Sequence, residues 1–290
     1  MESKIILGTV QFGLKYGVNN STGLLSATQV FELLETAYDL GIRFLDTAEL
    51  YGNAHELIGN FHKKNSKGSK FKIITKFPFE IKEDSIRTKV SEYLDLLAIN
   101  SIDVLMFHSF DSFQSSYKAL DVLSELKSKG SIKHIGVSVY TNGQLESLLN
   151  EDLITVVQLP FNMLDNNNVR GDLLCQLKKK GKIIHSRSAF LQGLFFKNTN
   201  DKNRIVQKLK PQLEILNQLT NKSNCSMEEL ALSYCLVQEY IDNVIVGVDS
   251  IFQLNANIKA SSYVIGQDAL EIINSLNVSD LDLLNPSLWK

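Results

Sequence analysis

Short apolar, β-branched segments alternate with longer segments of helical period along the whole chain. Several short segments, such as ITVVQL at 154–159, are apolar at almost every position, which is typical of parallel strands buried on both faces. The pattern predicts eight strands, at Ile5–Gly8, Arg43–Asp46, Lys72–Lys76, Ile102–Phe107, Lys133–Ser138, Ile154–Gln158, Lys182–Ser186 and Asn243–Gly247.

The segments between these strands carry apolar residues three and four positions apart, as one face of a helix requires. The first helix is predicted to begin after Ser26, which forms a capping-box pattern with Gln29, and to end at Gly41. Further helices are predicted over Ile86–Leu97, from Leu120 to Gly130, over 201–222 and 226–240, and near Ala269–Leu276.

Repeated βα units without a Pro-, Gly- or Ser-rich linker predict one domain over residues 1–290. The length and the eight strands favour a (β/α)8 TIM barrel, whose active site lies at the C-terminal rim of the parallel strands. An open, doubly wound sheet is the rival architecture. It is less favoured because no GxGxxG segment follows the first strand.

The composition excludes several classes of partner. Apolar residues make up 44% and charged residues 21% of the chain, with a net charge of -2, so neither nucleic acid nor a polybasic membrane contact is indicated. No apolar run is long enough to span a membrane, and MESKIILGTV lacks the apolar core of a signal peptide. Three cysteines without metal spacing predict reduced thiols, and hence a cytoplasmic protein with no metal. The oligomeric state is left open.

Polar residues stand at the ends of nearly all the predicted strands. Asp46, Lys76 and His108 end or follow three successive strands. The later strands end at Ser138, at Gln158, at Ser186 followed by Arg187, and at Gly247 followed by Asp249 and Ser250. In a closed parallel barrel these ends share one rim, where barrel enzymes carry their chemistry. Each residue alone also has a structural explanation: Asp46 and Lys76 could form only a buried ion pair, and Tyr51 could be only a rim residue.

Together with Tyr51, this group can protonate an oxygen atom. A tyrosine has an ordinary pKa of about 10, too high for an efficient donor near neutrality. A lysine ammonium close to the phenol lowers that pKa, a carboxylate keeps the lysine charged, and a histidine can hydrogen-bond the substrate carbonyl. Such a site protonates a carbonyl oxygen while hydride reaches the carbon, and it needs no metal.

Six segments carry a resemblance to the aldo-keto reductase family: FLDTAELYGNAHELIG at 44–59, ITKFP at 74–78, LMFHS at 105–109, IGVSVY at 135–140, VVQLPFN at 156–162 and VIVGVDSIFQLNANI at 244–258. The resemblance implies that Tyr51 is the general acid for reduction and the base for oxidation. It further implies that Lys76 depresses the pKa of Tyr51, that Asp46 pairs with Lys76, and that His108 orients the carbonyl.

The same resemblance implies a nicotinamide cofactor. Its binding residues would be Gly8, Thr9, Asp46, Ser138, Gln158, Arg187, Ser188, Gly193, Gly247, Ser250, Gln253 and Asn257, with Asn162 a further candidate. Ser138 and Gln158 would hold the carboxamide, and the residues from Gly247 to Asn257 would hold the adenosine end. A phosphate site after the last strands of a barrel agrees with this assignment.

Two positions depart from the family pattern. Arg187 stands where many members have an aromatic residue that stacks on the nicotinamide, and a guanidinium can also stack or bind an anion. Gln253 stands where NADPH-preferring members often have arginine, and Asp249 is close by. The resemblance favours NADP(H), with NAD(H) as an alternative.

The sequence therefore predicts an NAD(P)H-dependent reductase of a small aldehyde or ketone. Arg187 hints at an anionic or polyhydroxylated substrate such as a sugar or sugar derivative, and Gly13 and Gly17 around Tyr16 suggest a loop over it. One alternative is a non-catalytic nicotinamide-binding sensor or regulatory subunit on the same fold. Another is a metal-dependent hydrolase, which is disfavoured because only one histidine stands at a strand end.

Overall fold

Eight parallel strands close into one barrel in the computed structural model, which describes residues 3–15, 23–65, 68 and 70–289. The strands follow chain order, and β1 pairs with β8 to complete the ring. Their bounds are β1 Ile5–Gly8, β2 Phe44–Asp46, β3 Lys72–Lys76, β4 Ile102–Phe107, β5 Ile132–Ser138, β6 Ile154–Pro160, β7 Ile183–Arg187 and β8 Asn243–Gly247. The predicted fold class is confirmed, and the strand ends differ from the predicted ones by two residues at most.

Helices cover the outside of the barrel. They are α1 Val10–Gly13, α2 Ala27–Asp39, α3 Ala54–Lys64, α4 Ile86–Leu97, α5 Phe110–Ser115, α6 Ala119–Ser128, α7 Asn142–Ser147, α8 Asn167–Lys179, α9 Arg204–Ser223, α10 Met227–Leu236, α11 Ile251–Ala260 and α12 Gln267–Ser275, with 3₁₀ turns at Glu83–Ser85, Leu191–Phe196, Leu281–Leu284 and Pro286–Leu288. The predicted capping box is present: Ser26 accepts from the Gln29 amide and the Gln29 side chain accepts in return. None of the helices in the described ranges is both long and apolar enough to cross a membrane.

Two apolar cores hold these layers together. The larger core lies between the strands and the helices, and a small core fills the barrel interior. The interior core consists of Ile6, Ile74, Val104, Met106, Val156 and Ile245. Side chains alternate between the two faces of each strand, so polar residues at the strand ends are left at the rim above the interior core. Tyr16 and Gly17, part of the predicted loop after β1, lie outside the described residues.

Candidate active site

Apart from the further candidate Asn162, the predicted site residues, fifteen in number, all lie around a single cavity of about 930 Å³ at the C-terminal ends of the strands. They are Gly8, Thr9, Asp46, Tyr51, Lys76, His108, Ser138, Gln158, Arg187, Ser188, Gly193, Gly247, Ser250, Gln253 and Asn257. The closed ring brings β1 next to β8, with Gly8 paired to Gly247, so residues almost 240 positions apart become neighbours. A cavity of this size can enclose a substantial ligand.

Lys76 and Asp46 form a buried ion pair at the base of the cavity. The Lys76 Nζ donates to both carboxylate oxygens of Asp46, at 2.7 and 2.6 Å, and to the Thr47 carbonyl oxygen at 3.1 Å. Burial disfavours the ammonium, but Asp46 and Tyr51 more than offset this effect, and the pKa of Lys76 is raised. The lysine is therefore cationic throughout the neutral range.

Tyr51 is held beside this pair by the tight turn after β2. Its amide donates to the Ala48 carbonyl, and its own carbonyl accepts from Ala54 at the start of α3. Gly13 packs directly on this turn: a Cβ at Gly13 would lie 2.0 Å from the Tyr51 carbonyl oxygen. The Lys76 Nζ is 5.3 Å from the centroid of the Tyr51 ring. The phenol is thus placed within electrostatic reach of the ammonium, as the prediction requires.

The pKa of Tyr51 departs from the expectation. Burial raises the pKa of the phenol above its ordinary value, and this effect exceeds the lowering by the Lys76 ammonium. The effect of Lys76 on the pKa of Tyr51 has the predicted sign, but burial outweighs it, and the depth of burial is not visible in the sequence. Tyr51 is consequently a neutral phenol at neutral pH, which is the protonated form that a general acid needs.

His108 faces Tyr51 across the cavity, with the two rings nearly perpendicular and their centroids 6.1 Å apart. Burial, followed by the Lys76 ammonium, lowers the pKa of His108 to about 4, so the ring is neutral at neutral pH. Its Nδ1 lies 3.3 Å from the Phe77 carbonyl oxygen, which can only accept a hydrogen bond. With the proton on Nδ1, Nε2 is an acceptor. The predicted donation from His108 to a substrate carbonyl needs the other tautomer.

Ser138 and Gln158 are paired neighbours on β5 and β6, as their predicted shared role requires. The Gln158 Nε2 donates to Asp46 at 2.8 Å, which leaves its amide oxygen for a ligand. Asn162 does not reach the cavity. It is fully buried, and its Oδ1 accepts from the amides of Leu164 and Asp165. The proposal of Asn162 as a carboxamide contact is therefore wrong, because the loop after β6 uses this side chain for its own turn.

Arg187 ends β7 and lines the cavity next to Tyr140. Its guanidinium carbon lies 4.2 Å from the centroid of the Tyr140 ring, and its hydrogen bonds to Val139 and Ser188 are long, at 3.4 and 3.5 Å. Ser188 follows with a φ of 62°, and Gln192 has a φ of 54°, both in the left-handed region. Strained backbone of this kind concentrates at ligand sites.

At the end of β8, a ligand can approach the backbone closely. A Cβ at Gly247 would lie 2.8 Å from the side-chain Nε2 of Gln11, so a larger residue there would displace the Gln11 amide group. The buried Gln11 Oε1 has no hydrogen-bond partner in the described part of the protein. Ser250 caps α11 by accepting from the Gln253 amide, which leaves other amides of that first turn available to an anion. An unpaired buried amide oxygen and free backbone amides at a helix N-terminus, both at this end of the cavity, fit a dinucleotide cofactor.

The cavity has further lining residues that the sequence does not predict, among them Gln11, Phe79, Glu228 and Phe252. They come from the segments after β1 and β3, from α10 and from α11, and none stands at a strand end. The pattern of polar strand ends therefore does not mark them. Across the described ranges, no three His, Cys, Asp or Glu side chains are grouped as metal ligands would be.

The aldo/keto reductase family profile matches residues 4–278 of the chain. The chain is 26% identical over 271 residues to the aldo-keto reductase str7 of Strobilurus tenacellus, covering 85% of this chain and 80% of that protein. It is 25% identical over 295 residues to the NADH-specific methylglyoxal reductase of Escherichia coli K12, covering 89% of each.

Solved structures share the barrel. The holo form of the aldo-keto reductase AKR11C1 from Bacillus halodurans superposes with a TM-score of 0.79 at 20% identity, covering 95% of this chain and 92% of that one. The glycerol dehydrogenase AKR11B4 from Gluconobacter oxydans gives a TM-score of 0.76 at 18% identity, covering 95% and 91%. At these identities the structures establish a common fold.

Proposed function

The chain belongs to the aldo/keto reductase family, and from that premise we propose that Tyr51 is the general acid and base of a nicotinamide-dependent carbonyl reductase. The observation that carries the proposal is the placement of the Tyr51 phenol beside the buried Lys76–Asp46 pair, within one cavity. If Lys76 and Asp46 formed only a structural ion pair, or if Tyr51 were only a rim residue, the three side chains would not need to lie together.

When bound, a reduced nicotinamide would supply hydride to the carbonyl carbon. Tyr51 donates its phenolic proton to the carbonyl oxygen as that oxygen gains negative charge, which completes the alcohol. The Lys76 ammonium stabilises the phenolate that remains, and Asp46 holds the ammonium in place. In the direction of oxidation the same phenolate accepts the alcohol proton.

Residues on both sides of this centre would hold the cofactor. Ser138 and the free amide oxygen of Gln158 would hold the carboxamide, and the Arg187 guanidinium would lie against the nicotinamide or an adjacent anionic group. The first turn of α11, with Gly247 before it, would hold the adenosine end.

We further propose that the substrate carries a hydroxyl group beside its carbonyl, as a sugar or sugar derivative does. An Nε2 acceptor on His108 binds a hydroxyl, and the aromatic rings of Phe79, Phe190 and Phe196 line the cavity where the apolar face of a sugar could pack. The free thiols of Cys175, Cys225 and Cys235 support the proposal that the protein is cytoplasmic.

The variant Tyr51→Phe tests the proposal, because it removes one hydroxyl and leaves the ring. Carbonyl reduction should fall by about 10²–10⁴-fold, the range that general acid catalysis contributes. Dinucleotide affinity and the unfolding midpoint should stay unchanged. Steady-state rates with a panel of aldoses, keto-sugars and aromatic aldehydes, equilibrium titration of the cofactor and thermal unfolding measure these three quantities.

Tyr117→Phe is the matched control, since Tyr117 loses the same hydroxyl at an exposed position outside the cavity. It should reduce the panel at the normal rate. Normal reduction by Tyr51→Phe would contradict the role of Tyr51. Cofactor binding by the unmodified chain without turnover of any carbonyl would instead favour a nicotinamide-binding sensor.

A further inference from the structure

We infer that the adenosine end of the cavity selects NAD(H) over NADP(H), through the carboxylates of Asp249 and Glu228. This inference rests on the proposed function, because it assumes that a nicotinamide dinucleotide occupies the cavity. It reverses the preference that the family resemblance favours, and the reason lies in the charges that the structure places around this end.

Carboxylates line the adenosine end, and cations do not. Asp249 immediately precedes the capping residue of α11, and Glu228 lies in the first turn of α10, a helix that packs against α11. Among the described residues that line the cavity, the cationic side chains are Lys76 and Arg187. Both of these act on Tyr51, whose pKa each of them lowers, so they belong to the opposite end.

Neither carboxylate is neutralised. Asp249 and Glu228 are half-buried, and neither has a lysine, arginine or histidine nitrogen within ion-pair distance in the described ranges. The capping box of α10 uses Glu229 instead, and the Gln253 side chain is engaged by the Asp249 backbone amide at 3.1 Å. Two carboxylates without a cationic side-chain partner therefore face the space in which an adenosine ribose would lie.

The two cofactors differ there by one phosphate group. A 2′-phosphate carries nearly two negative charges, and its approach to two half-buried carboxylates without a cation is repulsive. A ribose 2′-hydroxyl is a hydrogen-bond donor, and a carboxylate is its natural acceptor. The same two side chains thus disfavour NADP(H) and bind NAD(H).

Phe252 contributes to adenosine binding without affecting this choice. Its side chain is 83% exposed on the first turn of α11, although it is a large aromatic, and it lines the same end of the cavity. An exposed ring at this place can stack on the adenine base, which both cofactors share. It is therefore expected to add affinity for both dinucleotides equally.

Equilibrium titration of the unmodified chain with NADH and NADPH, by calorimetry, tests the selection independently of turnover. NADH should bind on the order of ten-fold more tightly or better, because like charges oppose only the phosphate. In the double variant Glu228→Gln/Asp249→Asn, NADPH should bind on the order of ten-fold more tightly than before while NADH binds more weakly. The preference for NADH should then largely disappear.

Two controls separate local recognition from general effects. Asp268→Asn/Glu271→Gln removes the same net charge from exposed positions on α12 outside the cavity, and it should leave both affinities unchanged. Phe252→Ala should weaken both cofactors by the same factor, about ten-fold, and keep their ratio.

The selection fails if the unmodified chain binds NADPH as tightly as NADH, or if the double variant leaves the ratio unchanged. In either case carbonyl reduction with NADPH would leave the proposed function standing. Binding of neither dinucleotide, with no reduction by either, would instead overturn the proposed function together with this inference.

Discussion

Two buried ion pairs in this protein have the same closest separation and very different surroundings. The Lys76 ammonium lies 2.6 Å from the Asp46 carboxylate, and the Arg170 guanidinium lies 2.6 Å from the Asp165 carboxylate. All four side chains are at least nine-tenths buried. Pairing and burial alone therefore do not distinguish a catalytic pair from a structural one.

The neighbours of each pair make the distinction. Arg170 is held by protein groups: it donates twice to Asp165 and once each to the Asn142 side chain and the Tyr140 carbonyl. It lines a separate cavity of about 140 Å³. Lys76 instead lines the large cavity and lies beside the Tyr51 phenol, which can change charge. The Lys76–Asp46 pair can therefore act on a reaction, whereas the Arg170–Asp165 pair only connects neighbouring segments of the chain.

The largest effect is expected for Lys76→Met. Asp46 would be left as a buried, unpaired charge, which destabilises the fold by about 3–5 kcal/mol. The phenolate of Tyr51 would also lose its stabilising cation, so carbonyl reduction per folded molecule should fall by at least about 10²-fold. Denaturant unfolding and rates measured well below the unfolding midpoint separate the two losses.

The double variant Lys76→Met/Asp46→Asn sharpens this result. Without the unpaired charge, most of the lost stability should return, whereas activity should not. Recovery of both would mean that the pair is structural and that Tyr51 does not depend on the ammonium.

Arg170→Met should reproduce the loss of stability without the loss of catalysis. Removing the guanidinium leaves the Asp165 carboxylate buried and unpaired, which destabilises the fold by about 3–5 kcal/mol. Turnover per folded molecule should stay close to normal, because Arg170 does not line the large cavity. The matched double variant Arg170→Met/Asp165→Asn should recover stability. A loss of activity that persists after this recovery would contradict the division between the two pairs.

The sequence predicts the fold well because the pattern that builds it is local. Apolar runs such as ITVVQL mark their own strands, and the bounds of β1, β3, β4 and β8 coincide with the predicted ones. Helix α3 is not among the predicted helices. Its first half lies within the segment AELYGNAHELIG, which the sequence marks only as a site motif. Short helices such as α1 contain one turn, too few residues for a periodic signal.

The strand pattern predicts the site only at strand ends, and the family resemblance adds residues beyond them, such as Tyr51 and Gln253. Asp46, Lys76 and His108 follow that rule, whereas Glu228 reaches the cavity from a helix start that no strand pattern marks. The net pKa of Tyr51 could not be predicted, because the burial that raises it depends on packing by distant segments. Asn162 follows a strand, as several cavity residues do, but its side chain accepts hydrogen bonds from the amides of its own loop and does not reach the cavity.

The smallest effect is expected for the exposed ion pairs of Glu125, which extend the comparison to a third environment. Glu125 contacts Arg87 and Lys129, the latter at 2.5 Å, and these hydrogen bonds lower the pKa of its carboxyl to about 2. All three side chains are nevertheless substantially exposed, so water and salt screen the attraction and ordering these long side chains opposes it. Glu125→Gln should therefore leave the unfolding midpoint and the rate of carbonyl reduction within experimental error of the unmodified chain. A clear drop in the midpoint would show that close contact alone makes a pair stabilising, and burial would no longer explain why Lys76→Met and Arg170→Met are severe.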